Sequence, residues 1–225
     1  MIHEVDEALR RLLAAHDLPG AGVELGFEAP TTDWAAKRNA PTISVFLYDI
    51  REEPGLRQSG RFERHDESGA VTGWQGAPHW FQLSYLVTAW TKRPQDEHRL
   101  LSAVLRCVVG HDALEAAWLT GTLAELGLTV SFEAGGTMAE GRSAADVWSA
   151  LGGQLKPSIN LQVTAPLAGE RTPAGPPVTE GVVLQADADA PRRLRYDGPS
   201  TAEGEGFAPS RPRPEPKRRR RGPLP

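Results

Sequence analysis

The sequence predicts an α+β fold, a mixed and mainly antiparallel sheet flanked by helices, followed by a Pro/Arg-rich C-terminal tail. Three observations carry this prediction. Stretches with strand-like apolar alternation follow one another with few helices between them, which favours antiparallel or mixed pairing. Segments with apolar residues at helical spacing lie before and among them. The composition then changes near residue 168, beyond which fall 11 of the 19 prolines and only two aromatic residues, Tyr196 and Phe207. The expected organisation is a folded domain at 1–167 and a low-complexity, largely disordered tail at 168–225. So little apolar surface cannot offset the entropy of ordering that tail.

The elements follow in order. Ile2, Val5, Leu9, Leu12 and Leu13 recur at helical spacing, and the DLPG at 17–20 stops that helix. Val23, Leu25 and Phe27 alternate within AGVELGF and predict a strand. TISVFLYD, 42–49, is apolar on both faces and is expected to be central. Residues 51–78 read as a long polar excursion containing one weak strand, GRFERH. In HWFQLSYLVTAW, 79–90, Phe81, Leu83, Tyr85, Val87 and Ala89 share one face, opposite Trp80, Leu86 and Trp90.

A helix is expected over 94–109, opening on Pro94 with Asp96 and Glu97 in its first turn. A strand follows at 128–134. A short helix at 143–153 carries a Ser143–Asp146 capping pattern and terminal glycines. The last strand, 156–167, alternates Ile159, Leu161 and Val163. In the tail, GVVLQAD at 181–187 is the one segment with strand character. Trp80, Trp90 and Trp148 read as core residues. Trp34 and Trp74 lie in polar stretches, where they either anchor loops or sit at an interface.

The net charge of −4 conceals an asymmetry. Residues 1–167 hold 14 basic and 21 acidic side chains, whereas 168–225 hold 11 and 8. No apolar run reaches the length of a membrane-spanning helix. The acidic start MIHEVDEALRRLL has none of the features of a signal peptide, so a cytoplasmic protein is expected. The single cysteine, Cys107, reads as a small buried residue on a helix face.

The search for chemistry turns up little. The six histidines (His3, His16, His65, His79, His98 and His111) form no zinc-binding spacing. EAGGTMAEG, 133–141, lacks the Lys-Ser/Thr of a phosphate-binding loop, and no G-x-S-x-G elbow occurs. Neither a catalytic constellation nor a cofactor or metal site is expected, and the chain is not read as an enzyme. KRRRR at 217–221 is the strongest local charge signal. It supports a second reading, a non-enzymatic binding module whose basic tail holds nucleic acid or an acidic protein. Without interleaved aromatics, nucleic acid is the weaker partner.

Several stretches together resemble a known family. IHEVDEALRRLL is followed by APTISVFLYDIREEP, FQLSYLVTAW, DEHRLLSAVLRCV and VWSALGGQLKPSINLQVTAPL. In that order they resemble the N-terminal domain of the cap, or tube-terminator, proteins of phage-tail-like contractile injection systems. The resemblance covers residues 1–167 and implies a phage tail-terminator-like fold. It also implies a homo-oligomeric ring, a hexamer in the family, that ends the inner tube at its distal end and contacts the last sheath layer. The implied partners are thus the inner tube protein and the sheath protein, with no membrane, and the chain would be assembled into the particle. No catalytic residues come with it, and the Pro/Arg-rich tail departs from the pattern.

Two surfaces are expected to make the contacts. The first is the excursion after VFLYD, with Asp49, Arg51, Glu52, Glu53, Arg57, Arg61, Arg64 and Trp74 facing the tube or a neighbouring subunit. The second is the tail, with Val182, Val183 and Leu184 adding a strand to a partner and Arg218, Arg219, Arg220 and Arg221 supplying charge.

Overall fold

The computed structural model describes residues 1–20, 22–67, 69, 71–136 and 143–175, together with the backbone at 182–184 and 192–194. Two units form, one from Met1–Arg61 with Gly76–Glu170 and one from Phe62–Gln75 with the chain from Arg171 onward.

The first unit begins with helix α1, Ile2–Ala15, then strand β1, Glu24–Gly26, and a short helix α2, Thr32–Ala36. Strand β2 spans Thr42–Glu52. After the second unit's strands β3, Arg61–His65, and β4, Val71–Gly76, the chain returns as β5, His79–Trp90. Helix α3, Pro94–Val109, short helix α4, Gly121–Leu126, β6, Ser131–Ala134, α5, Ala144–Ala150, and β7, Ser158–Leu167, complete it. The sheet order is β1-β2-β5-β7-β6. Every pairing is antiparallel except that of β1 with β2. Putting β5 in the centre matches its position as the longest strand and its almost uninterrupted burial.

The two faces of this sheet are covered unequally. On the front, Val45, Leu83, Tyr85, Val87, Leu161 and Val163 pack under Val5, Leu9 and Leu12 of α1 and Leu101, Val104 and Cys107 of α3. On the back, Leu86, Phe46, Tyr48 and Trp90 meet Val147 and Trp148 of α5. The front is the main core, and α5 covers a smaller one on the back.

Between Leu47 and Asp49 the pairing of β2 with β5 slips by one residue. Leu47 opposes Tyr85, Asp49 opposes Ser84, and Ile50 opposes Leu83. Tyr48 is the extra residue, and its hydroxyl donates to Asn160 Oδ1 at 2.9 Å on the back of the sheet. The alternation therefore inverts at this bulge. Beyond it Ile50 and Glu52 share the side of Leu83, while Asp49 and Arg51 share that of Ser84 and Gln82.

Several expectations are corrected. The strand expected across 21–27 is three residues long, those expected from 128 and 156 begin at Ser131 and Ser158, and the helix expected over 143–153 ends at Ala150. Helices α2 and α4 were not expected. The excursion at 51–78 is not a loop with one weak strand. β2 continues to Glu52, a 3-10 turn occupies Pro54–Leu56, and β3 and β4 follow.

In the second unit β4 lies between β3 and β8, Arg171–Pro173. Trp74 pairs with Thr172 and Gln75 with Arg171. Further on, β9, Val182–Leu184, pairs antiparallel with β10, Arg192–Leu194.

One buried carboxylate ties α1 to α4. Glu4 is 6% exposed, and it accepts hydrogen bonds from the Thr122 amide at 2.8 Å and hydroxyl at 2.7 Å. The Met1 amino group is 3.1 Å away. Burial pushes this carboxyl up, but the Thr122 donors and the Met1 charge outweigh it, so the net shift is below the ordinary 4.5. A carboxyl lowered by folding stabilises above its unfolded value and loses that contribution as pH falls through its native value. The stability advantage of the wild type over Glu4→Gln will be fully present above the ordinary carboxyl value of 4.5 and shrink as pH falls below it. Thermal melts of both proteins across that range check it, and a constant difference would contradict the assignment.

Candidate assembly surface

On the first unit, the sequence-predicted residues at the end of β2 are largely paired with one another. The Arg51 guanidinium lies 2.7 Å from Asp49, whose side chain is only 10% exposed. Both side chains are on the back of the sheet because the bulge sends them there. Glu52 meets Arg57 at 3.2 Å and His79 at 3.3 Å. The Glu53 carboxylate accepts from the Gly55 amide at 3.2 Å, capping the Pro54–Leu56 turn. Arg61 is exposed at the start of β3. Exposed pairs of this kind contribute little stability, so their role is to keep the turn in shape and to present charge.

Beside these charges stand Ile50, 47% exposed, and Leu56, 44% exposed. The sequence reading singled out the charges and passed over both apolar residues. The alternation of β2, read without the bulge, places Ile50 on the wrong face.

On the second unit, Arg64 Nη1 donates to Gln75 Oε1 at 3.1 Å, and the Thr72 hydroxyl donates to the Arg64 carbonyl at 3.1 Å. Trp74 is 38% exposed and Phe62 53% exposed. Phe62 was not predicted. A Cβ on Gly73 would come within 2.7 Å of the Thr172 carbonyl, so β4 and β8 approach closely at the place where Trp74 stands. Phe62, Trp74 and Arg64, the last held by Gln75, are residue types enriched at protein contacts.

Trp34 resolves differently from Trp74. It packs edge-on against Trp90 with ring centroids 5.6 Å apart, and the Arg38 guanidinium sits 4.5 Å above its ring. It anchors its segment to the first unit. Its helix is capped by the Thr31 hydroxyl, which accepts from the Trp34 amide at 3.2 Å.

In the tail, the backbone of Val182, Val183 and Leu184 is strand β9, as the sequence suggested for this segment, and it pairs with Leu194, Arg193 and Arg192. Arg218, Arg219, Arg220 and Arg221 lie outside the described residues.

Among the described residues no three His, Cys, Asp or Glu side chains come together as a metal site, and no helix is long and apolar enough to cross a membrane. Cys107 is buried, and burial pushes its thiol up to about 11. A thiol held protonated in this way is a packing residue rather than a nucleophile.

Two solved structures share this fold. One is the sheath/tube terminator of the extracellular contractile injection system PVC, in its extended state. It is 21% identical with a TM-score of 0.57, and the match covers 84% of this chain and 65% of that one. The other is the tube-terminating cap of the anti-feeding prophage, AFP. It is 22% identical with a TM-score of 0.51, covering 79% of this chain and 60% of that one. The chain therefore spans less than two thirds of the length of either structure. No curated protein sequence matches it. A family model described as the Pvc16 N-terminal domain matches residues 4–180, which takes in nearly all of the first unit and reaches beyond β8. The chain belongs to the Pvc16 N-terminal domain family.

Proposed function

We propose that this protein is a structural, non-catalytic cap of a contractile injection system. In this reading identical chains close into a ring, a hexamer, that ends the inner tube at its distal end and meets the last sheath layer. The observation that carries it is the family match over residues 4–180, supported by the shared fold of two terminators. A closed ring leaves no free end, which is the physical means by which it stops a growing helical stack. Assembly takes place in the cytoplasm as part of the particle.

The contact residues divide between the two units. On the first, Ile50 and Leu56, framed by Asp49, Arg51, Glu52, Glu53, Arg57 and Arg61, face the tube or a neighbouring subunit. On the second, Phe62, Arg64 and Trp74 do so. Val182–Leu184 adds a strand to the sheath protein, and Arg218–Arg221 meets an acidic surface.

Light scattering after size exclusion, with and without the tube protein, tests this reading. A hexamer-sized species is expected, either alone or on adding tube. The double variant Phe62→Ser/Trp74→Ser is expected to lose that species while keeping the circular dichroism spectrum of the wild type. Truncation after residue 175 is expected to spare the ring and weaken sheath binding. A strict monomer that ignores the tube protein would overturn the cap reading. It would leave the Arg-rich tip as the working part, with binding that falls steeply as salt rises.

A further inference from the structure

The first unit carries a groove that the cap reading does not use. It opens between the Val23–Pro41 segment and the start of α3, with a cavity volume of about 650 Å³. That is room for a few residues of a bound chain. Its floor is apolar, formed by Val23, Pro41, Trp90 and Leu100. The floor is also fixed in place. Trp90 donates its indole N–H to the Thr88 hydroxyl at 2.9 Å, Lys156 lies 4.3 Å from the ring centroid, and Trp34 braces its edge.

The rim is basic on an otherwise acidic unit. Arg38, Lys92, Arg93 and Arg99 line it against one carboxylate, Asp96, whereas residues 1–167 as a whole hold 14 basic and 21 acidic side chains. Two of the four cations are already engaged. Arg38 meets Glu24 at 2.9 Å and Glu28 at 3.3 Å, and Arg99 meets Asp96 at 3.0 Å. The Lys92 and Arg93 side chains are exposed and have no ion-pair partner among the described residues.

Their backbone is nevertheless held. The Thr91 hydroxyl donates to the Arg93 carbonyl at 2.7 Å and accepts from its amide at 3.2 Å, and the Thr91 amide donates to Glu97. Two unpaired cations on an ordered turn, above an apolar floor, are half of an amphipathic recognition site. The N-terminal end of α3 begins at the next residue, Pro94, and adds positive potential on the same side.

We propose that this groove docks an acidic peptide segment of a partner protein. One apolar side chain of that segment rests on the Trp90–Leu100 floor, and its carboxylates meet Lys92 and Arg93. The neighbouring depression favours a peptide over nucleic acid. It shares Arg38 with the groove and adds Lys37, but three carboxylates, Glu24, Glu28 and Asp33, line it as well. A phosphate backbone running through both would meet those carboxylates, whereas a peptide can place its charge at one end only. Trp90 has Lys156 over its ring and Trp34 against it, so it is poorly placed to stack on a base.

The test is independent of the cap reading, because peptide binding is read on the full chain without tube or sheath, whether that chain is a monomer or a ring. A random-peptide display library is selected on the wild type and, in parallel, on Lys92→Glu/Arg93→Glu. Both changes are at exposed positions, and an unchanged melting temperature confirms that the variant is folded. The wild type is expected to enrich sequences with two or more acidic residues beside a large apolar one. The enriched peptides, made synthetically, are expected to bind the double variant roughly ten- to a hundredfold more weakly. The double variant keeps the basic tip, so equal retention would assign the binding to the tip and overturn the proposal. Failure to enrich any acidic motif would overturn it, as would a single-stranded oligonucleotide that displaces the enriched peptides through the same two residues.

Discussion

Gly169→Ala will lower the melting temperature sharply, whereas the same change at Gly76 will be tolerated. The two glycines face each other where the chain enters β5 and leaves β7, and the Gly76 amide donates to the Glu170 carbonyl at 2.9 Å. A Cβ at Gly169 would collide with the Gly76 carbonyl and come within 2.7 Å of the Ala77 carbonyl oxygen. Both obstacles are backbone, so no side chain can rotate away. A Cβ at Gly76 would meet nothing closer than 3.5 Å, an ordinary contact. Overpacking against rigid neighbours costs about 3 kcal/mol at its upper end, which for a unit of this size lowers Tm by roughly 6–12 °C. Paired thermal melts of Gly169→Ala and Gly76→Ala check this. Equal stability of the two variants would show that the crossing is looser than described.

Trp148→Ala will be the most damaging single change on the back of the sheet. Trp148 is 1% exposed and, with Val147 and Leu86, is the centre of the small core under α5. Truncating a buried tryptophan costs roughly 3–5 kcal/mol. Trp148→Phe is expected to cost far less, about 1 kcal/mol, although it also removes area. The reason lies in the indole nitrogen, which is buried without a hydrogen-bond partner among the described residues. Losing an unsatisfied donor relieves a penalty that offsets part of the lost packing. Urea titrations of both variants decide the point, and a phenylalanine as damaging as alanine would mean that the indole N–H has a partner.

How much of this could be read from the residues depends on how far each element controls its own surroundings. β5 and β7 were legible because ten or more residues alternate against two covered faces. α3 was legible because Pro94 and the two acids mark its start and a long apolar stripe marks its face. Helices α2 and α4, of five and six residues, are under two turns and cannot display a helical period. The Thr31 cap was the one local sign of α2.

β3 and β4 were harder still. Every residue of β3 is exposed, and Gly73 and Gly76 interrupt β4. Their order comes from pairing, and one partner, Arg171–Pro173, lies almost a hundred positions further along the chain. For the candidate surface, the charged residues were visible as an excursion from an apolar pattern. Phe62, Ile50 and Leu56 were not, since an isolated apolar residue in a polar stretch carries no sign of its exposure.

The extra residue at Tyr48 changes how this strand can be compared and altered. It acts as a phase inverter, because the six residues before it and the four after it obey opposite parity. An alignment that treats Thr42–Glu52 as one uniform ladder will assign Asp49, Ile50, Arg51 and Glu52 each to the wrong side. Losing Tyr48 alone would leave the strand's end on its present sides, because Asp49 already opposes Ser84 and the ladder would close into regular alternation. Asp49 and Arg51 would turn towards the helices, and Ile50 and Glu52 away from them, only if Tyr48 were drawn into the ladder and the end slipped by one place. The bulge therefore works as a register lock for which side chains this edge of the protein offers to its surroundings.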